Sequence, residues 1–348
     1  PSVEPMTALS TPETRPAEST RHEGPAEAPP ALRHSPGRVL RERCIEGSLL
    51  LCALASVVTT FAIVAILFGE SFAFFREVSI VDFLFGTRWS PLLEPARFGV
   101  LPLVAGTAHI VFGSVLIAAP LGLGTAVYLS EFASRRTRTI VKPTLEILAG
   151  IPTVVYGYFA LTTITPMLQS VFPSTGIFNA ASGAIVVGIM ILPMVASLCD
   201  DAIRAVPRSL RDAGYALGAT KFEVSLRIVL PAALSGIVAA IVLAVSRAIG
   251  ETMIVAIAAG QQPNLSIDPR DSVQTMTAFI VQISMGDTPA DSLEYRTIFA
   301  VASTLFVLTF IINALRISKV LRSFRWGRVL TNHLLFNDAH GLNSNSSK

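Results

Sequence analysis

The sequence predicts an all-α integral membrane protein with about six transmembrane helices. Three observations predict it. Apolar residues fall in long unbroken runs, not at helical or strand spacing, and each run can cross about 30 Å of hydrocarbon. Charged residues make up only 15% of the 348-residue chain, against about 25% in a soluble domain, and the mean hydropathy is +0.59. Lys and Arg collect in alternate gaps between the runs, the asymmetry that orients a membrane protein.

A soluble fold is excluded, because none hides this much apolar sequence. The net charge is +3, but the basic residues flank apolar runs, so they are read as topology determinants and no nucleic-acid partner is expected. Cys44, Cys52 and Cys199 give neither a disulfide framework nor a zinc site.

Residues 1–36 are rich in Pro, Ala, Glu, Ser and Thr and are expected to be a disordered cytoplasmic tail without the layout of a signal peptide. Segment 37–69 holds the first span, about Gly47 to Gly69, with Arg38, Arg41 and Arg43 ahead of it. Segment 70–98 mixes Phe72, Phe74, Phe75, Phe83, Phe85 and Trp89 with Arg76, Asp82 and Arg88. It is expected outside, as a helix in the headgroup layer or as a plain loop.

Residues 99–325 form the core. The second span runs from about Gly99 to Ser130, with a kink expected at Pro120; its His109 is read as a packing residue. Glu131 to Lys142 is a basic inside loop. The third span, Pro143 to Phe172, carries Glu146 at its inner end, and the fourth, Ile177 to Cys199, carries Pro193. A polar inside stretch follows at 200–227. The fifth span is about Ile228 to Gly260, Gln261 to Glu294 is an outer loop, and the sixth span is Thr297 to Leu315. A basic tail, including 326–348, ends the chain. With both termini inside, the outer segments keep few basic residues: Arg76, Arg88, Arg97, Arg270 and Arg296.

The stretch from Asp200 to Pro231 reads as two short helices meeting at Gly218. Pro207 and Ser209 can start the first, and Gly218 can end it in a left-handed conformation. Thr220 can cap the second, where Phe222, Leu226 and Val229 recur at helical spacing, and Pro231 marks the start of the fifth span. Such an elbow is a rigid handle.

Arg247 and Glu251 sit inside an apolar run. A mid-membrane charge costs at least about 2.5–3.5 kcal/mol, so it faces a partner or a cavity. Their spacing of four puts both on one helix face, where they can pair. A guanidinium offers a planar fork of donors suited to phosphate oxygens. Glu251 would orient it and keep it from trapping the anion. A permanent ion pair that only fixes helix packing fits the same residues. The chain has no GxxxxGK[ST] loop, no metal-ligand cluster and no nucleophile beside a base. No catalytic or metal residue is therefore assigned, and no cofactor is expected on the chain.

Asp212-Ala213-Gly214, three residues, Gly218, nine residues, Ile228, one residue, Leu230-Pro231 resembles the loop of binding-protein-dependent ABC-importer permeases. The family pattern opens Glu-Ala-Ala; here Asp212 replaces Glu and Gly214 the second Ala, the glycine loosening the helix by about 1 kcal/mol. The resemblance implies a type I importer permease (MetI-like) core. It also implies that Asp212, Ala213, Gly214, Gly218, Ile228, Leu230 and Pro231 belong to a coupling helix seated on an ATP-binding subunit. FLFGTRWSPLLEPARFGVLPLVAGT, AAPLGLGTAVYLSEF and LEILAGIPTVVYGYFAL are similar to phosphate-importer permeases, within those to the PstC type, over about Ile45 to Arg325. Arg247 to Met253 resembles the same type, with a sister type close to it, and places Arg247, Glu251 and Thr252 in the substrate pathway.

The partners so implied are a homologous permease subunit (PstA type), a dimer of ATP-binding subunits (PstB type) that holds ATP and Mg, and a phosphate-binding protein outside (PstS type). The implied location is a bacterial inner membrane, with both termini in the cytoplasm. The chain is then a transporter subunit, not an enzyme. A permease for sulfate or molybdate fits the elbow as well. A secondary transporter would show symmetry between halves, and a scaffold would leave the broken spans unexplained.

Overall fold

The computed structural model describes residues 36–290 and 292–314. The tail at 1–35, the basic residues Arg316, Lys319, Arg322, Arg325 and Arg328, and the tail 326–348 lie outside the described residues. The chain divides into two units after Thr60. The described part of the first, 36–60, is most of helix α1 (Pro36–Phe74), which begins before Gly47 and runs past Gly69. The second unit holds everything from Phe61.

Among the described residues, five helices are long and apolar enough to cross a membrane, or six where one sharply bent pair is counted as a single span. After α1 comes α3 (Leu101–Val127), prolonged to Phe132 by a π turn at Tyr128–Phe132. Pro120 lies inside this helix without ending it. The stretch expected as a basic loop is helical instead: α4 (Arg135–Ala149) starts on Ser134, whose hydroxyl accepts the Thr137 N–H, and passes through Pro143. Arg and Lys are good helix formers, so a charged run between spans need not be a loop. The third crossing is therefore α4 with α5 (Thr153–Phe159), a π turn and α6 (Thr165–Val171), bent by 88° at the Gly150–Pro152 break. Helix α7 (Ala180–Arg204) continues past Cys199 and absorbs the start of the 200–227 stretch. Then follow α8 (Arg208–Ala216), α9 (Lys221–Val224), a π turn, α10 (Leu230–Ile249), α11 (Met253–Ala258), α12 (Met276–Ser284) and α13 (Leu293–Ala314).

Small residues bring α3, α7 and α10 together. A Cβ placed on Gly122 would lie 2.7 Å from Val195, one on Gly113 2.8 Å from Ala184, and one on Gly236 2.6 Å from Ala202. Such close approach is the usual device for packing helices in lipid, where apolar burial gives little drive.

The 70–98 segment differs from expectation. It holds α2 (Ile80–Phe85) and an antiparallel pair, β1 (Trp89–Ser90) with β2 (Arg97–Phe98). Its aromatics divide: Phe72 and Phe85 are exposed, Phe75 is half-buried, and the other three turn inward. Phe74, Phe83 and Trp89 are buried and meet edge to face, Phe74–Phe83 at 5.7 Å and Trp89 against Phe279 of α12 at 4.8 Å. Aromatic pairs of this geometry are held by their ring quadrupoles as well as by burial.

Candidate substrate site and coupling elbow

The fifth span is broken where its charges lie. Helix α10 ends at Ile249 on Gly250, and α11 restarts at Met253. Glu251 and Thr252 fall between them. Arg247 and Glu251 therefore pair, but not as neighbours along one helix: Arg247 is in the last turn of α10 and Glu251 stands beyond the break. Arg247 Nη1 donates to Glu251 Oε2 at 2.9 Å. The other oxygen, Oε1, accepts the Ile254 N–H of α11 at 3.4 Å. The Thr277 hydroxyl of α12 donates to the Glu251 carbonyl at 2.7 Å. The break is thus pinned from both helices and from α12, which satisfies backbone groups that lipid could not.

The two charges differ in access. The Glu251 side chain is 2% exposed and that of Arg247 is 44% exposed. Arg247 also reaches Met190 Sδ at 3.5 Å and stands on the wall of a cavity of about 400 Å³ with Arg138, Lys142, Glu146, Met190 and Asp200. Asp200, itself 3% exposed, accepts from Arg138 at 2.7 Å and from Arg204 at 3.0 Å. Lys142 stands 3.9 Å from Asp201. A half-exposed guanidinium held by a buried carboxylate can offer its remaining donors to an anion.

Of the three residues expected in the pathway, the structure brings Arg247 and Glu251 together. Thr252 is not on the cavity wall; its hydroxyl turns to the Gly250 carbonyl at 3.3 Å, because the break leaves that carbonyl without a helical partner. Glu146 lies in the last turn of α4, the helix-terminal place expected of it. From there, beside the bend, it shares the wall with Arg247. The positions missed are Arg138, Lys142 and Asp200. The signal for two of them was present: Arg138, Lys142 and Glu146 are spaced by four, one face of a helix once the loop is read as helical.

The elbow is built locally. Gly218 ends the first short helix with φ +80°, the left-handed conformation expected of it, and the Ala219 N–H reaches the Gly214 carbonyl at 3.2 Å. Thr220 starts α9 with a capping box: its hydroxyl accepts the Glu223 N–H, and Glu223 accepts the Thr220 N–H at 2.9 Å. From Lys221 the helix runs unbroken to Ile249, so Pro231 lies inside it and does not open it. The π turn at Ser225–Val229 explains this. A proline donates nothing and crowds the carbonyl four residues back, and a widened turn just ahead of it gives room.

Gly214 is buried, not a loose point. A Cβ there would lie 2.6 Å from Ile228 Cδ1 and 3.0 Å from Val224 Cγ2. The motif's glycine and isoleucine are in contact distance across the elbow. Asp212, Ala213 and Pro231 are exposed, and Leu230 is half-buried. Leu210, Tyr215, Leu217, Phe222 and Leu226 are exposed apolar residues of the same elbow, Leu217 at 89%. Apolar side chains gathered on a protruding surface mark an interaction face.

Comparison with known proteins adds the following. Residues 118–322 match the family described as "binding-protein-dependent transport system inner membrane component". The chain is 35% identical over 263 residues to a probable ABC transporter permease protein, YqgH, of Bacillus subtilis, covering 75% of this chain and 84% of that protein. It is 34% identical over 257 residues to the phosphate transport system permease protein PstC of Mesorhizobium japonicum, covering 67% and 76%. Among solved structures, a bacterial alginate ABC transporter in complex with its pentasaccharide-bound periplasmic protein superimposes with TM-score 0.57 at 16% identity, over 79% of this chain and 94% of that one. At that identity the likeness is one of fold.

Proposed function

Because the chain belongs to the family of binding-protein-dependent transport system inner membrane components, we propose that it is the permease subunit of an ATP-driven importer of inorganic phosphate. The observation that carries the substrate reading is the half-exposed Arg247 held at a helix break by the buried Glu251. The PstC relatives, named for phosphate transport, support it. A paired guanidinium binds an oxyanion while its carboxylate limits how tightly, and passage needs both.

In this reading a homologous permease subunit completes the pathway. Two ATP-binding subunits, which hold ATP and Mg, engage the exposed apolar face around Leu217 and Phe222. A binding protein delivers phosphate from outside, and both termini of this chain lie in the cytoplasm. Hydrolysis is the work of the partners. This chain provides the gate, the site and the lever.

The test is uptake of labelled phosphate by cells co-expressing the chain with its candidate partners, with excess sulfate as competitor. Native uptake should ignore sulfate. Arg247→Gln should abolish uptake with the complex assembled, and Gly218→Asp should release the ATP-binding subunit. Assembly without phosphate uptake overturns the substrate, and uptake that sulfate abolishes assigns the other oxyanion. Uptake without any ATP-binding subunit overturns the importer.

A further inference from the structure

Arg211 has no part in the site above. It lies on α8 and its guanidinium is engaged on three sides. Nη1 donates to the Val206 carbonyl at 2.6 Å, and Nη2 to the Ile203 carbonyl at 2.9 Å. Nη2 and Nε both donate to Glu131 Oε1, at 3.0 and 3.3 Å. The carbonyls belong to the end of α7 and the turn after it, where a helix leaves acceptors unpaired and favours a cation. Glu131 belongs to the π turn that ends α3. The two side chains are 16% and 7% exposed, so this is not a loosely solvated surface pair.

The same face of α8 is fastened again one turn on. Gly214 meets Ile228 and Val224, and Ile228 lies in the π turn that leads into α10. One face of the elbow helix thus meets two π turns, one ending α3 and one opening α10. Such turns are rare and are found frequently at functional sites. Leu129, two residues before Glu131 in the first of them, is on the wall of the cavity that holds Arg247.

We infer that Arg211 and Glu131 are positioning residues that carry a displacement of the elbow to the end of α3, so that α3 and α10 move together around the cavity. This rests on the reading as an ATP-driven importer. The physical ground is that separating a buried ion pair leaves each charge uncompensated. The α3 end therefore follows α8 when a partner pushes on the exposed face of α8.

The test uses the reconstituted complex, with phosphate uptake and ATP hydrolysis measured in the same vesicles. Glu131→Gln keeps the shape and removes the charge; Arg211→Lys keeps the charge and removes the fork. For each, phosphate moved per ATP should fall about threefold or more, with hydrolysis and co-purification of the ATP-binding subunit retained. An unchanged ratio, or uptake and hydrolysis falling in step, overturns the inference. A second measurement does not need uptake. Spin labels at the exposed Tyr128 and Arg208 should keep their separation in the otherwise native complex when ATP binds, and change it in Glu131→Gln. A changing separation in the native background overturns the inference, whereas a native complex that hydrolyses ATP but moves no phosphate overturns the substrate reading instead.

Discussion

The helix from Lys221 to Ile249 joins two regions built in opposite ways. Before its Lys221 end the turn is set locally and lies exposed: a left-handed glycine, a capping box within four residues, and apolar side chains facing outward. Its Ile249 end is centred on a buried group: a carboxylate 2% exposed, tied to α11 and, through its carbonyl, to α12. The elbow end has the character of a surface that a partner completes. The break end is complete in itself apart from the free donors of Arg247. One continuous helix thus connects the exposed elbow with the paired Arg247 and Glu251.

The largest effect should come from breaking the buried end unevenly. Arg247→Gln leaves the Glu251 carboxylate buried without a cation. Removing one partner of a buried pair costs about 3–5 kcal/mol, and water entering beside the half-exposed Arg247 position reduces this to about 2 kcal/mol. Glu251→Gln leaves a guanidinium that already reaches water, so its cost should be smaller. The apparent thermal midpoint of the complex in nanodiscs should drop further for Arg247→Gln than for Glu251→Gln. Equal drops would show that water already reaches Glu251, and the contrast between the two ends would fail there.

The next effect tests the elbow end. Gly218 has φ +80° and open space around its missing side chain, so a substitution there is opposed by backbone strain alone. Gly218→Val should destabilise the elbow by about 1–2 kcal/mol, and Gly218→Asn by less, because asparagine tolerates the left-handed region. Amide exchange of Lys221 to Val224 should accelerate in that order. Thr220→Ala should follow at about 1 kcal/mol, the usual cost of losing a helix cap, read by the same exchange. If both left exchange unchanged, partner contacts and not local geometry would be holding the elbow.

These ends also differ in how far they could be read from sequence. Gly218 and Thr220 are local signals, and a left-handed stop followed by a cap needs no knowledge of the rest of the chain. The pairing of Arg247 with Glu251 was legible from the cost of charge in an apolar run, but the break between them was not. Gly250 inside a run of apolar residues reads as helix until something pins the chain on both sides, and the pins come from Ile254 and Thr277. The inward turn of Phe74, Phe83 and Trp89 was not legible for the same reason. Trp89 is buried by Phe279, almost two hundred residues away in sequence, and no periodicity reports that. The helical nature of Arg135–Lys142 was missed because charge was weighed as topology and its spacing of four was passed over.

The smallest effect concerns the point where the elbow departs from the family pattern. An alanine at Gly214 would meet Ile228 Cδ1 at 2.6 Å and Val224 Cγ2 at 3.0 Å, yet it would gain about 1 kcal/mol of helix propensity. Ile228 is half-buried and its Cδ1 ends a flexible side chain, whereas Val224 is fully buried and has no room to turn. Gly214→Ala alone should therefore change stability by less than about 1 kcal/mol, gain and crowding offsetting each other. Ile228→Val removes the nearer atom. On that background Gly214→Ala should stabilise by about 1 kcal/mol, and a double-mutant cycle on the thermal midpoint isolates the interaction. If the double variant is no more stable than Ile228→Val, the limit is set by Val224, and the glycine is there for the buried side of the elbow and not for the π turn that opens α10.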